Sequence, residues 1–385
     1  MTHDFGRLID RLPTESAKWH AYERGILPLW VADMDFPCPE PVIQALQQRV
    51  SHGIFGYPAE PPDLRPVLVD WIWHSYNWKV HPEALVFLPG VVVGFNLAIR
   101  AAANPGDGVL AQTPVYFPIL WAPSNAGCCL NTMELSRLVD GSYAIDMAAF
   151  ESAISPNTRI FILCNPHNPV GRVFRREELE AMAQACLRHN VIICSDEIHC
   201  DLLFDGRRHL PIASLDPEIG RCTITLMAPS KTFNIAGLHS SFAVIENPEL
   251  RNAFVKARAG LVSGLTVLGY VAMLAAYRDG RPWLDALLPY LQSNRDFLAQ
   301  SVAERLPGVS MQKPEGTYLA WLDCRTARLP GNPKRFFLER ARVALNGGAS
   351  FGQGGEGFVR LNFGCPRSTL EEALDRMASS LEAKG

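Results

Sequence analysis

Two side chains stand where chemistry is easily built. Lys231 lies in Ala228-Pro-Ser-Lys-Thr-Phe-Asn-Ile-Ala-Gly-Leu238, directly after Thr223-Ile-Thr-Leu-Met227, an apolar run with the length of a short buried strand. Asp196 lies in Ser195-Asp-Glu-Ile-His199, directly after a second such run, Val191-Ile-Ile-Cys194. A lysine at a strand end, among small and turn-forming neighbours, can be held over a pocket, where its amine condenses with a carbonyl to a Schiff base. A carboxylate leaving another strand end can pair with a protonated ring nitrogen and keep that ring electron-accepting. Together they suggest pyridoxal 5'-phosphate (PLP) chemistry. Taken singly, each residue is more ordinarily a solvated surface charge or a helix cap, so the reading depends on further segments that agree with it.

The elements that must position these groups are legible as an alternation of strands and helices. Strands are expected at Leu85–Leu88, Val109–Ala111, Arg159–Leu163, Val191–Cys194, Thr223–Met227 and Ser241–Ile245, apolar without polar alternation and therefore buried on both faces. Between two of them, Arg175–His189 carries Leu179, Met182, Ala183, Cys186 and Leu187 at helical spacing, with glutamates early and Arg188 and His189 late, as the helix dipole favours. Strand, crossover helix, strand is a parallel α/β unit, and ligands of such sheets gather at the carboxyl ends of the strands. Pro282–Arg305 reads as a long helix. Beyond it lies a smaller α+β lobe, with strands at Gly316–Leu322 and Gly357–Phe363 and helices at Pro333–Val343 and Ser368–Leu381. The expected division is a large α/β domain over residues 45–280 and a small domain built from 1–44 and 281–385, onto which the first 40 residues wrap.

Bulk properties bound the function. With 385 residues the chain is long enough for two sizeable cores, and 48% apolar and 19% charged residues are ordinary for a globular enzyme. A net charge of −3 and no basic run argue against nucleic-acid or membrane-surface binding. No apolar stretch approaches a membrane span and the N-terminus has no secretory core. Ten scattered cysteines without a Cys-x-x-Cys pair fit a reducing cytoplasm better than a disulfide framework. Cys194, His199 and Cys200 match no zinc spacing, so no metal is expected.

Together the segments resemble the PLP enzymes of class I/II with the aspartate aminotransferase fold (fold type I). Asn165-Pro-His-Asn-Pro-Val-Gly171 is similar to that family's Asn-Pro-x-Asn-Pro-Thr-Gly loop, Asp196-Glu-Ile-His199 to its Asp-Glu-x-Tyr, Ser230-Lys231 to its Ser-Lys, and Phe358-Val-Arg-Leu361 to its carboxylate-binding strand. Arg11-Leu-Pro-Thr-Glu-Ser-Ala-Lys-Trp19, Leu29-Trp-Val-Ala-Asp-Met-Asp-Phe-Pro37, Gly56-Tyr57 and Gly364-Cys-Pro-Arg367 resemble the cystathionine β-lyase branch, the MalY/PatB type of carbon–sulfur lyase.

The resemblance implies a role for each matched residue. Lys231 anchors the cofactor and takes the Cα proton. Asp196 pairs with the ring nitrogen. Asn168, and with less support His199, contact the phenolic oxygen. Tyr116 stacks on the ring. Arg360 clamps the substrate carboxylate. For the phosphate, Pro89-Gly-Val-Val-Val-Gly94 reads as a turn opening a helix whose free N–H groups, around Val91 and Val92, can hold a dianion, helped by the Ser230 hydroxyl. Tyr57 is expected to reach the phosphate of a partner subunit, which requires a homodimer with shared active sites. Two positions depart from the family: Ala228 stands where many relatives have a second serine, and His239 where many have a phosphate-binding arginine.

The expected activity is α,β-elimination on cystathionine or a related cysteine S-conjugate, releasing a thiol, pyruvate and ammonia. Either Lys231 or Tyr116 could protonate the leaving sulfur. An aminotransferase on the same scaffold is the alternative, since the cofactor motifs serve both. A cofactor-binding transcriptional regulator would need a DNA-binding module, and the roughly 40 residues before the catalytic pattern carry no basic recognition helix.

Overall fold

The computed structural model describes residues 3–383. Six apolar runs and one exposed edge segment form a seven-stranded sheet: β1 (Leu85–Leu88), β2 (Gly108–Thr113), β3 (Cys129–Glu134), β4 (Thr158–Cys164), β5 (Ile192–Asp196), β6 (Thr223–Met227) and β7 (Ser241–Val244). Their spatial order is β1-β7-β6-β5-β4-β2-β3. The longer helices are α1 (Glu40–Ser51), α2 (Leu64–Tyr76), α3 (Val91–Ala102), α4 (Phe117–Asn125), α5 (Arg176–Arg188), the single turn α6 (Pro229–Thr232), α7 (Pro248–Arg258), α8 (Val267–Asp279), α9 (Arg281–Arg305) and α10 (Arg367–Glu382).

The strands are buried on both faces because helices cover both. Along β4, Ile160, Ile162 and Cys164 point to one side and pack with Phe95, Ala98 and Ile99 of α3. Phe161 and Leu163 point to the other and pack with Leu179, Met182 and Cys186 of α5. This is the period of two of a strand meeting the apolar stripes of two helices. Gly94 lets α3 close on the sheet, since a Cβ there would sit 2.8 Å from the Leu226 side chain.

A second, antiparallel sheet has the order β8-β9-β11-β10, from β8 (Ser310–Met311), β9 (Leu319–Asp323), β10 (Asn346–Gly347) and β11 (Phe358–Asn362). The N-terminal segment runs across it. Leu27 and Leu29 donate to the carbonyls of Arg342 and Ala344, both at 2.9 Å, and Asn362 returns a bond to the Leu29 carbonyl at 2.9 Å.

Four points need correction. The large sheet is mixed rather than parallel: β7 runs antiparallel to both β1 and β6. Strand β3 was not anticipated, because it is an edge strand whose Cys129-Leu-Asn-Thr-Met-Glu134 sequence is mostly exposed and lacks the apolar run used as the signal. In the small lobe, the helix expected over Pro333–Val343 is α-helical only to Phe336 and continues as a wider turn to Ala341. The strand expected from Gly316 starts at Leu319, because Thr317 takes a left-handed conformation (φ 69°) that no strand accommodates.

The turn after β4 is fixed from below. Gly171 has φ +75°, and a Cβ there would lie 2.4 Å from Pro314 Cβ. Its carbonyl accepts from the backbone N–H groups of Glu315 and Gly316 at 2.7 and 3.1 Å. Only glycine meets both demands, and the contact locks the Asn165–Gly171 loop onto the Pro314–Gly316 segment.

Candidate active site

The carboxyl ends of β4, β5 and β6, the start of α3 and the middle of β11 converge on one cavity of about 400 Å³. Val91, Val92, Tyr116, Asn168, Asp196, His199, Ser230, Lys231 and Arg360 all line it, from segments far apart in sequence. Tyr57 alone among the expected residues does not; it is fully exposed in the segment between α1 and α2. Wider clefts exist, one of about 740 Å³ near His74, Cys200 and His209, but Lys231, Asp196 and Arg360 are absent from its walls.

Each functional side chain has a physical reason for its place. Lys231 sits on α6, the turn that follows β6, and the adjacent Thr232 hydroxyl donates to Asp201 at 2.8 Å, which pins that turn. Lys231 Nζ donates to the Ala32 carbonyl at 2.6 Å. Burial pushes its amine down to about 8; the Arg360 charge acts the same way, while Asp33 and Asp196 oppose both. Asp196, at the end of β5, is raised to about 7, above all by burial and further by neighbouring Glu197, against a 3.2 Å bond from the Ile198 N–H and the Lys231 charge. A buried carboxylate with so little compensation fits a cationic partner such as a protonated ring nitrogen.

Arg360 stands opposite Trp321 and Asn346 in the middle of the small sheet. It donates to Asn168 Oδ1 at 2.9 Å and to the Trp30 carbonyl at 3.0 Å, and its buried Nε has no partner. Burial lowers it to about 10, an effect that Tyr116 and Tyr318 oppose. It remains a cation with donors free for a carboxylate. Burial raises the Tyr116 phenol, which stays protonated near neutral pH. His199 is buried with Nδ1 unpartnered, and burial, reinforced by Lys231 and Arg360, holds it well below its usual range, so it is a neutral imidazole.

These residues fit PLP. Asp196 could pair with a ring nitrogen, Lys231 could condense with an aldehyde, Asn168 and His199 could donate to a phenolic oxygen, and the start of α3 could receive a phosphate, since all of them line the one cavity. At that helix start the first i→i−4 bond belongs to Gly94, so the N–H groups of Val91 and Val92 have no intrahelical acceptor.

Sequence reasoning missed the wall formed by residues 30–35. Tyr318 Oη donates to the same Ala32 carbonyl as Lys231, at 3.0 Å. Asn362 Nδ2 donates to the Val31 and Asp33 carbonyls at 2.7 and 2.9 Å, and Asn234 Nδ2 to those of Met34 and Phe36 at 3.0 and 2.7 Å. Fully buried Lys18 pairs with Asp35 at 2.6 Å, and Arg11 reaches Asp33 and Asp35, both at 2.8 Å. Trp19 Nε1 donates to Asp35 at 3.0 Å. The Asp-x-Asp pair with upstream Arg and Lys-Trp was visible in the sequence, but only as a resemblance without a stated job.

Residues 24–377 match the family described as aminotransferase class I and II. The chain is 41% identical to cystathionine beta-lyase PatB of Bacillus subtilis, covering 98% of this chain and all of that one. It superposes on the crystal structure of OvoB with a TM-score of 0.94 at 47% identity, covering 99% of this chain and all of the other. Cystalysin from Treponema denticola, whose crystal structure contains pyridoxal 5'-phosphate, gives 0.95 at 32% identity with 99% of both chains covered. By sequence, fold and site together, the chain belongs to the class I and II aminotransferase family.

Proposed function

We propose that this protein is a PLP-dependent carbon–sulfur lyase that performs α,β-elimination on cystathionine or a related cysteine S-conjugate. The observation that carries the reading is the convergence of Lys231, Asp196 and Arg360 on one cavity, with Asp196 and Arg360 buried and Lys231 partly so. The preference for elimination over transamination rests on the PatB relative, named a cystathionine beta-lyase and similar along its full length, N-terminal segment included.

When bound, PLP supplies a ring that takes up the electron pair left on the substrate Cα. The chain's own residues prepare that event. Arg360 holds the α-carboxylate with paired donors and so fixes the amino acid in one orientation. Tyr116 lines the same cavity, where it would pack beside the ring and keep water from one face. Burial lowers the Lys231 amine to about 8, so it is more readily the free base near neutral pH than an ordinary lysine, and it accepts the Cα proton. The Cβ–S bond then breaks with its electron pair on sulfur. The new thiolate takes a proton from the Lys231 ammonium or the Tyr116 phenol, and water hydrolyses the three-carbon fragment to pyruvate and ammonia.

Two further proposals concern assembly and setting. Ile54, Phe55 and Tyr57 are 66%, 55% and 106% exposed in one extended segment, an apolar strip that a second copy of the chain would cover. A homodimer in which Tyr57 reaches the partner's phosphate is in keeping with this. Ten scattered cysteines without a Cys-x-x-Cys pair are in keeping with a cytoplasmic setting. Among the described residues no helix is long and apolar enough to cross a membrane.

Three outcomes are expected. The enzyme should release pyruvate from cystathionine with no keto acid added, and Arg360→Lys should lower kcat/KM by about tenfold to a hundredfold, since one ammonium cannot reproduce a two-point clamp. Pyruvate that appears only with a keto-acid acceptor would establish the aminotransferase instead. Light scattering should give a dimer, and a fully active monomer would remove Tyr57 from any site. For cofactor-free protein, the Asp196 carboxyl is raised from near 4 to about 7, so its stabilising contribution is complete below about pH 4 and lost as pH rises through about 7. Asp196→Asn should therefore gain denaturant resistance relative to the parent as pH rises across that window, while losing turnover. A gap that stays constant with pH would show that Asp196 is not buried as a strained charge.

A further inference from the structure

The phosphate end of the cavity is short of the groups expected there. Lys231 and Arg360 are the only Lys or Arg side chains on the cavity wall among the described residues. Ala228 offers no hydroxyl, and His239 is exposed at the rim in a left-handed conformation (φ 48°). A dianion held with so little formal charge gains from every dipolar donor beside Val91, Val92, Ser230 and the Tyr57 that a second copy would supply.

Ser240 is placed to be one. It immediately precedes β7, which pairs with β1 in the register Ser241↔Leu88. That register carries Ser240 alongside Pro89-Gly90, the turn that opens α3. Ser240 is 2% exposed, borders the same cavity as Val91, Val92 and Ser230, and its Oγ has no hydrogen-bond partner. The next residue shows the contrast: Ser241 Oγ is committed to the Leu88 carbonyl at 3.0 Å, as a buried hydroxyl ordinarily is. An unspent buried hydroxyl at a helix start is costly unless a ligand uses it.

We infer that Ser240 is a phosphate-binding residue, its hydroxyl donating to the cofactor's phosphate beside the α3 amides and Ser230. With His239 at the rim, the cup then holds the dianion mostly by neutral dipoles. The inference rests on the cofactor site proposed above.

The test compares two ligands that differ only in the phosphate. Full-length holoenzyme, parent and Ser240→Ala, is stripped of cofactor and retitrated with PLP and with pyridoxal, following the absorbance of the bound chromophore; circular dichroism of the stripped proteins checks the fold. Loss of one charge-assisted hydrogen bond should weaken PLP about tenfold in Ser240→Ala and leave pyridoxal within about twofold of the parent. Equal weakening of both ligands, or of neither, would overturn the assignment. A parent protein that binds neither ligand would instead bring down the cofactor site itself, and the inference with it.

Discussion

Confinement of three ionisable groups of mixed sign to the wall of one cavity is the constraint on which the rest of the structure depends. Burial moves each away from its ordinary behaviour: Lys231 down to about 8, Asp196 up to about 7 and Arg360 down to about 10. Left to itself a chain would not gather such groups, because each loses hydration on entering. The sheet enforces it. β5 and β6 are adjacent and parallel, so Asp196 and the Lys231 turn leave the sheet at the same edge, and both strands are buried on each face by helices whose packing far outweighs the local cost. Shifts in these directions suit the proposed roles: an amine that would take a proton, a carboxylate that would pair with a cationic ring, and a guanidinium that would hold a carboxylate.

The N-terminal segment completes the enclosure and is itself held by ions. Arg11, Lys18 and Trp19 converge on Asp33 and Asp35, and Asn362 and Asn234 hold the intervening carbonyls. Such a network adds little stability over an apolar equivalent, but removing one member of the buried Lys18–Asp35 pair would cost about 3–5 kcal/mol. Its effect is positional. It fixes the Ala32 carbonyl that accepts from both Lys231 and Tyr318, and the Trp30 carbonyl that accepts from Arg360. The residues that resemble the cystathionine β-lyase branch are therefore the ones that build the wall against which a substrate would lie.

Much of this was legible because the signals are local. A lysine after an apolar strand, an acid after another and a helical stripe between strands each need only a short window of sequence, and together they specified the strand-end site. What was not legible depends on pairing at a distance. The antiparallel course of β7 leaves no mark in Ser241-Phe-Ala-Val244, which would read the same in either direction. β3 was hidden by its exposed edge position. Tyr318 and Asn362 look like ordinary strand residues until β9 and β11 are paired and the N-terminal segment is laid across them. Ser240 was passed over because nothing local separates it from Ser241; only the register with β1 and its unspent hydroxyl do.

The central claim, that Lys231 carries the cofactor in the cavity shared with Asp196 and Arg360, is tested most directly by reducing purified holoenzyme with borohydride and mapping the stable adduct by peptide mass spectrometry. The account predicts a single pyridoxyl-phosphate modification on Lys231, absent in Lys231→Ala. An adduct on any other lysine, or none on a protein that retains its cofactor, would contradict it.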